Sequence, residues 1–264
     1  MIHPTALVHP SAQIDPSAEI GPYVVIDGPA EVAAGCVIEA HAQIVGTVRM
    51  GQETRIGRAA IIGGDPQDIS FKPDTESSVE LGPRNVIREH VTIHRGSKPG
   101  SATRIGEGNF LMAAAHLGHD VQMGDRNILA NACLLAGHIQ VGNGTFIGGG
   151  AVFHQFIRIG DSCVIQGNGG FGKDIPHYCA AVKINRIIGL NVVGLRRQGF
   201  NAQQRAEIQE LFRLLFRSGK NLSEAVAAAG EREWSPQAMR LLDFVRTPSK
   251  RGICPVRGEA DSDD

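Results

Sequence analysis

The stretch "IGEGNFLMAAAHLGHDVQMGDRNILANACLLAGHIQVG", residues 105–142, carries an aliphatic or methionine side chain at every sixth position: Ile105, Leu111, Leu117, Met123, Leu129, Leu135, Val141. Neither the 3.6-residue spacing of a helix nor the two-residue alternation of a half-buried strand produces that period. The register extends upstream through Ile14, Ile20, Ile26, Val32, Ile38, Ile44, Met50, Ile56 and Ile62. It returns at Leu81, Ile87 and Ile93, passes over Pro99, and continues downstream through Ile147, Phe153, Ile159, Ile165 and Phe171. A six-residue unit of one short strand and one turn makes a triangular coil of eighteen residues, with inward side chains stacked about 4.8 Å apart along the axis. Glycine often follows the inward residue, which the absence of a Cβ penalty at positive φ would explain. The expected fold is therefore an all-β solenoid with helices appended, a parallel β-helix of hexapeptide repeats over residues 1–182.

Two segments break the register. Residues 63–80, "GGDPQDISFKPDTESSVE", and residues 94–104, "HRGSKPGSATR", are rich in Pro, Gly, Ser and Asp and read as excursions from the coils. After residue 182 the pattern turns helical, and residues 183–247 are expected to form a small helical domain. Its clearest helix puts Ile208, Leu211, Leu215 and Phe216 on one stripe, with Asn201 as N-cap and Gly219 as stop. Ser235-Pro236 begins another helix. Residues 248–264, ending "GEADSDD", read as a flexible tail.

The formal charge of −1 gives no reason to expect a nucleic-acid partner. Cys36, Cys133, Cys163, Cys179 and Cys254 are scattered and contain no CxxC pair, which argues against a disulfide framework and against a thiolate metal site. No apolar run approaches a membrane span and "MIHPTALVHP" does not read as a signal peptide, so a cytoplasmic protein is expected.

His116 and His119 stand three apart, and Asp120 follows the second. Eighteen residues beyond His119 lies Gly137, followed by His138, and His154 is close to one coil further. The coil thus gathers imidazoles along one edge. Structural histidines, a metal site and a general base are all compatible with that layout. The neighbouring carboxylate of Asp120 favours an oriented base, since imidazole titrates near neutrality. No metal is expected, because no cysteine joins the column and the rings do not obviously converge.

The repeats, together with "NVIREHVTIHRG", "GDRNILANACLLAGHIQV", "AVFHQF" and "GLNVVGLRRQGF", resemble the UDP-N-acetylglucosamine O-acyltransferase family of lipid A biosynthesis over residues 1 to about 220. The resemblance implies a left-handed coil and a homotrimer with active sites between subunits. It further implies transfer of a 3-hydroxyacyl chain from acyl-carrier protein to the sugar 3-hydroxyl of a UDP-sugar, without a cofactor. By the same resemblance His119 is the general base, Asp120 its orienting acid and Gly137 a backbone donor for the oxyanion. Asp68, His116, His138, His154, Gln155, Asn191 and Arg197 fall at substrate-binding positions, and Gly167 at the position that gauges acyl length.

Three positions depart from the family pattern. Ile184 stands where a histidine is usual, Val193 replaces a glutamate, and Gln198 replaces the second arginine of a pair. All three concern the acceptor, so a related sugar nucleotide, including one with a 3-amino group that would yield an N-acyl product, is an alternative. A CoA-dependent hexapeptide acyltransferase and a non-catalytic trimeric scaffold are the others.

Overall fold

A computed structural model describes residues 1–256. Short strands stack into three sheets of nine, eight and ten strands; all but the last strand of the chain run parallel to their neighbours, and parallel neighbours are one full coil apart in sequence. On one face His116 pairs with Leu134, Leu134 with Val152, and Val152 with Gly170. The six-residue series points inward as expected: Ile44, Ile62, Leu117, Leu129 and Leu135 have no exposed surface. Together with the C-terminal helices, this is the left-handed hexapeptide-repeat β-helix.

Glycine serves the coil for a reason other than the one the sequence suggests. Most left-handed corner residues are not glycine; they include Ala114 (φ 59°), Asp120 (φ 59°), His138 (φ 61°) and Phe156 (φ 68°). At Gly118, by contrast, the constraint is close packing of coils, because a Cβ there would stand 2.8 Å from the Gly137 nitrogen. Inside one corner Asn85, Asn109 and Asn127 form a buried ladder. Each following backbone N–H donates to the previous side-chain oxygen at 2.8–2.9 Å, ending at Thr145. Satisfied buried amides of this kind specify register without leaving a polar group unpaired.

Both excursions leave between paired strands and return to them, and are shorter than expected. Ile61–Gly64 and Ser78–Leu81 bound the first, and Thr92–His94 and Ala102–Ile105 bound the second. The expected helical onset at residue 183 is corrected. Cys179–Val182 is the last strand to join the coil in parallel, and Arg186–Leu190 pairs antiparallel to it, so a hairpin caps the solenoid.

Helices follow at Val192–Arg197 (α1), Ala202–Phe216 (α2), Leu222–Ala229 (α3) and Pro236–Arg246 (α4). Asn201 and Gln204 form a capping box at α2, and Ser235 caps α4 with Pro236 in its first turn. The α2 stripe buries Ile208, Leu211, Phe212 and Leu215, and the helix stops at Arg217, before Gly219.

The flexible-tail reading of residues 248–264 is also corrected where the structure describes it. The chain returns to the coil after α4: Cys254 is buried, its N–H donates to the Asp174 carbonyl at 2.9 Å, and Ile187 donates to Pro255 at 2.9 Å. Residues 257–264 lie outside the described residues. No described helix is long and apolar enough to cross a membrane.

Candidate active site

His119 and Asp120 occupy a coil corner directly after the strand His116–Leu117. The left-handed backbone at Asp120 turns its carboxylate back onto the preceding ring, and His119 Nδ1 donates to Asp120 Oδ2 at 2.8 Å. Ser97, from the second excursion, donates to the same oxygen through its N–H at 3.0 Å and through its hydroxyl. Asp120's own N–H donates to Thr103 Oγ1 at 2.9 Å. Burial alone would raise this carboxyl, but hydrogen bonds from His119, Ser97 and Ser101 outweigh it and hold Asp120 well below the usual carboxylate range. Asp120 is therefore an anion that requires the proton of its partner on Nδ1, which leaves the lone pair of His119 on Nε2.

That Nε2 faces Gly137. A Cβ built on Gly137 would lie 2.6 Å from both Cε1 and Nε2 of His119, so glycine alone leaves room for the ring. The buried Gly137 N–H makes no hydrogen bond to a described residue. A base nitrogen therefore packs against a glycine whose backbone N–H has no partner among the described residues.

His138 meets His119 edge to face at 4.9 Å and stacks on Phe156 at 4.5 Å. Burial lowers the affinity of its ring for a proton, and Asp120, 3.7 Å from Nε2, only partly restores it. A second imidazole pair lies beside the first: His116 Nδ1 shares a 2.7 Å hydrogen bond with Thr92 Oγ1, and its ring meets His94 edge-on at 4.8 Å. Burial, reinforced by His116 and His119, pushes His94 down to about 4. Burial likewise lowers His116.

His94, His116, His119 and Gly137 line a cleft of about 620 Å³ with Gln67, Ala136, His154, Gln155 and Ile184 among its walls, and His138 lies behind His119 outside that lining. The expected edge of imidazoles is thus realised as two touching pairs, His119/His138 and His94/His116, with His154 apart from both. Asp68 follows Gln67 at the cleft and is itself exposed. Its Oδ1 accepts from the N–H and hydroxyl of Ser70 at 2.8 and 2.7 Å, which hold the carboxyl low.

Asn191 and Arg197 lie elsewhere. They line a second cleft of about 1060 Å³ with Ile128, Phe146, Val193 and Gln198, against a different sheet of the same chain. Asn191 caps α1, accepting from Gly194 N–H and donating to the Ser162 carbonyl, each at 2.9 Å. Gln198 is also engaged, accepting from Ser162 Oγ and donating to the Gly144 carbonyl at 2.9 Å. Of the three departures, Ile184 joins the His119 cleft, whereas Val193 and Gln198 belong to the second. Gly167 lines neither and sits over Gly149, where a Cβ would approach the Gly149 carbonyl to 2.8 Å.

His119, Asp120 and His138 each offer one donor atom within 4.8 Å of the others, the only such metal-compatible group among the described residues. The 2.8 Å contact between His119 and Asp120 fits a hydrogen-bonded dyad, with the shared carboxylate oxygen already accepting from Ser97.

Sequence reasoning did not single out His94, Ser97 or Thr103. His94 lies on a coil lengthened by an excursion: Thr92 pairs with His116, twenty-four residues on, so counting by eighteen misses it.

Residues 174–254 match the family model described as UDP N-acetylglucosamine O-acyltransferase, domain 2. The acyl-[acyl-carrier-protein]–UDP-N-acetylglucosamine O-acyltransferase of Syntrophobacter fumaroxidans is 40% identical over 256 residues, covering 96% of this chain and 98% of that relative. The enzyme of the same name from Thermodesulfovibrio yellowstonii matches to the same extent. Among solved structures, Francisella novicida UDP-N-acetylglucosamine acyltransferase superposes with a TM-score of 0.92 at 33% identity, over 98% of this chain and 95% of that one. LpxA from Acinetobacter baumannii gives a TM-score of 0.90 at 36% identity, over 97% and 99%. On identity and coverage, this chain belongs to the UDP-N-acetylglucosamine O-acyltransferase family.

Proposed function

We propose that this protein transfers a 3-hydroxyacyl chain from acyl-carrier protein to the 3-hydroxyl of UDP-N-acetylglucosamine, the first step of lipid A biosynthesis. The observation that carries the reading is the His119–Asp120 hydrogen bond with the opposite ring nitrogen packed against Gly137. His119 Nε2 takes the proton of the sugar hydroxyl as its oxygen attacks the thioester carbonyl carbon. The carbonyl oxygen gains negative charge and is held by the Gly137 N–H. Collapse breaks the carbon–sulfur bond, and the departing thiolate receives the proton back from His119. A positioned base contributes about 10²–10⁴-fold, and an oxyanion donor about 2.7–4 kcal/mol, so the two supply a large share of the rate.

The working unit in this reading is a homotrimer. Two flat faces of the coil expose apolar side chains, Ile128 and Phe146 on one and Leu134 and Val152 on the other. The third presents Gln122, Gln140 and Arg158 outward and is bridged by Glu80–Arg104 and Glu31–Arg49 pairs. Rotation about a threefold axis buries one apolar face against the other and leaves the polar face in water. The same closure faces the His119 cleft of one subunit toward the Asn191/Arg197 cleft of the next, uniting the base with a cation suited to phosphate. Gly167 gauges acyl length at that seam.

Ile184 brings an apolar side chain into the His119 cleft where the family usually has a histidine, and the second reading is an altered acceptor, one with a 3-amino group in place of the hydroxyl. Incubation with 3-hydroxyacyl carrier protein and either UDP-N-acetylglucosamine or its 3-amino analogue, followed by mass spectrometry and mild alkaline hydrolysis, tests both. A base-labile ester from the first acceptor supports the main reading. A base-stable amide from the amino analogue alone supports the second, and no product from either overturns the function.

A further inference from the structure

The segment after α4 passes over the cleft wall and is pinned on both sides of Arg251. Arg158 Nη2 of the coil donates to the Thr247 carbonyl at 3.1 Å, Asp174 N–H donates to the Gly252 carbonyl at 2.8 Å, and Cys254 is buried beyond it. From this strap Arg251 Nη2 reaches His154 Nδ1 at 2.8 Å, and Arg251 Nε donates to the Gln155 carbonyl at 3.3 Å. Lys250, the preceding residue, holds its ammonium 4.8 Å above the Phe156 ring, which stacks on His138.

A guanidinium has donors only and stays charged. Its contact with His154 Nδ1 therefore requires a lone pair there and a proton on Nε2. Without Arg251, the Gln155 carbonyl 3.2 Å from Nδ1 would favour the opposite tautomer. Arg251 Nε donates to that carbonyl as well, so the guanidinium competes with Nδ1 for one acceptor while its shorter 2.8 Å contact demands the Nδ1 lone pair.

We propose that Arg251 is a positioning residue: it fixes His154 as the Nε2–H tautomer, so that this ring offers the cleft a hydrogen-bond donor. The kinetic part rests on the assignment of His154 to the substrate cleft, and the tautomer stands independently of it. The test uses the full chain labelled with ¹⁵N-histidine, with His154→Gln assigning the resonances. The wild type is expected to show His154 protonated at Nε2 alone. Arg251→Ala shifts the proton toward Nδ1, and Arg251→Lys, which keeps one cationic donor, restores the original signature. In turnover, Arg251→Ala raises the KM for UDP-N-acetylglucosamine roughly tenfold, the scale of a lost charged hydrogen bond, with a smaller change in kcat. That effect disappears in a His154→Gln background. An unchanged tautomer in Arg251→Ala, or an undiminished loss in the His154→Gln background, overturns the proposal. If the wild type turns over no acceptor, the proposed reaction fails while the resonance measurement still decides the role of Arg251.

Discussion

The ring of His119 lies so close above Gly137 that one methyl group on the glycine would stand 2.6 Å from Nε2. The backbone at Gly137 lies outside the left-handed region, so alanine there costs no backbone strain and its effect is confined to the ring it displaces. Gly137→Ala is expected to fold and assemble normally while kcat falls roughly 10²-fold, the scale associated with misplacing a catalytic group by about an ångström. Steady-state kinetics with circular dichroism checks this, and full activity in a folded variant would show that the ring and the glycine do not cooperate.

Asp120 orients the ring and balances the charge it gains. Ser97 N–H and His119 Nδ1 share one carboxylate oxygen, so asparagine keeps its amide oxygen there and preserves the tautomer while losing the negative charge that stabilises the protonated ring. Asp120→Asn is expected to lower kcat by about 10–10²-fold, the scale of a charged hydrogen bond. Acceptor KM should change little. A loss seen in KM alone would mean that Asp120 binds substrate instead of orienting His119.

The inward residues of the coil were legible because a six-residue period has no competing explanation. The imidazole edge was legible in outline, since counting by eighteen aligns Gly137 with His119. Other features depend on three-dimensional contact. Ser97 reaches Asp120 from an excursion whose path no period describes, and His94 is hidden by a lengthened coil. The strand Arg186–Leu190 read as helical because its aliphatic residues suit either structure, and pairing with Cys179–Val182 decided the outcome. The return of residues 248–256 to the coil carried no periodic signal.

His94 connects the site to acid stability. Its folded-state value of about 4 lies below the ordinary imidazole value, so the unfolded chain takes up the proton first as pH falls. The stabilisation is complete above about pH 6.5 and is lost as pH drops toward 4, amounting to about 3 kcal/mol. Thermal melts at stepped pH should show wild type losing more stability over that window than His94→Leu. Parallel curves would contradict the burial of a neutral ring.

The two clefts on different faces imply complementation between chains. His119→Ala and Arg197→Ala, each depleted in activity alone, should regain activity when unfolded together and reassembled. Random pairing places both native residues at about one quarter of the interfaces. Activity no greater than the average of the two variants would contradict a site shared across subunits.

The most direct measurement of the central claim is single-turnover transfer from 3-hydroxyacyl carrier protein to UDP-N-acetylglucosamine, with product counted by mass spectrometry, for wild type and His119→Ala. The expected result is product from the wild type and a rate about 10²–10⁴-fold lower in the variant, with acceptor binding retained. A variant that matches the wild-type rate would show that the proton of the attacking hydroxyl goes elsewhere.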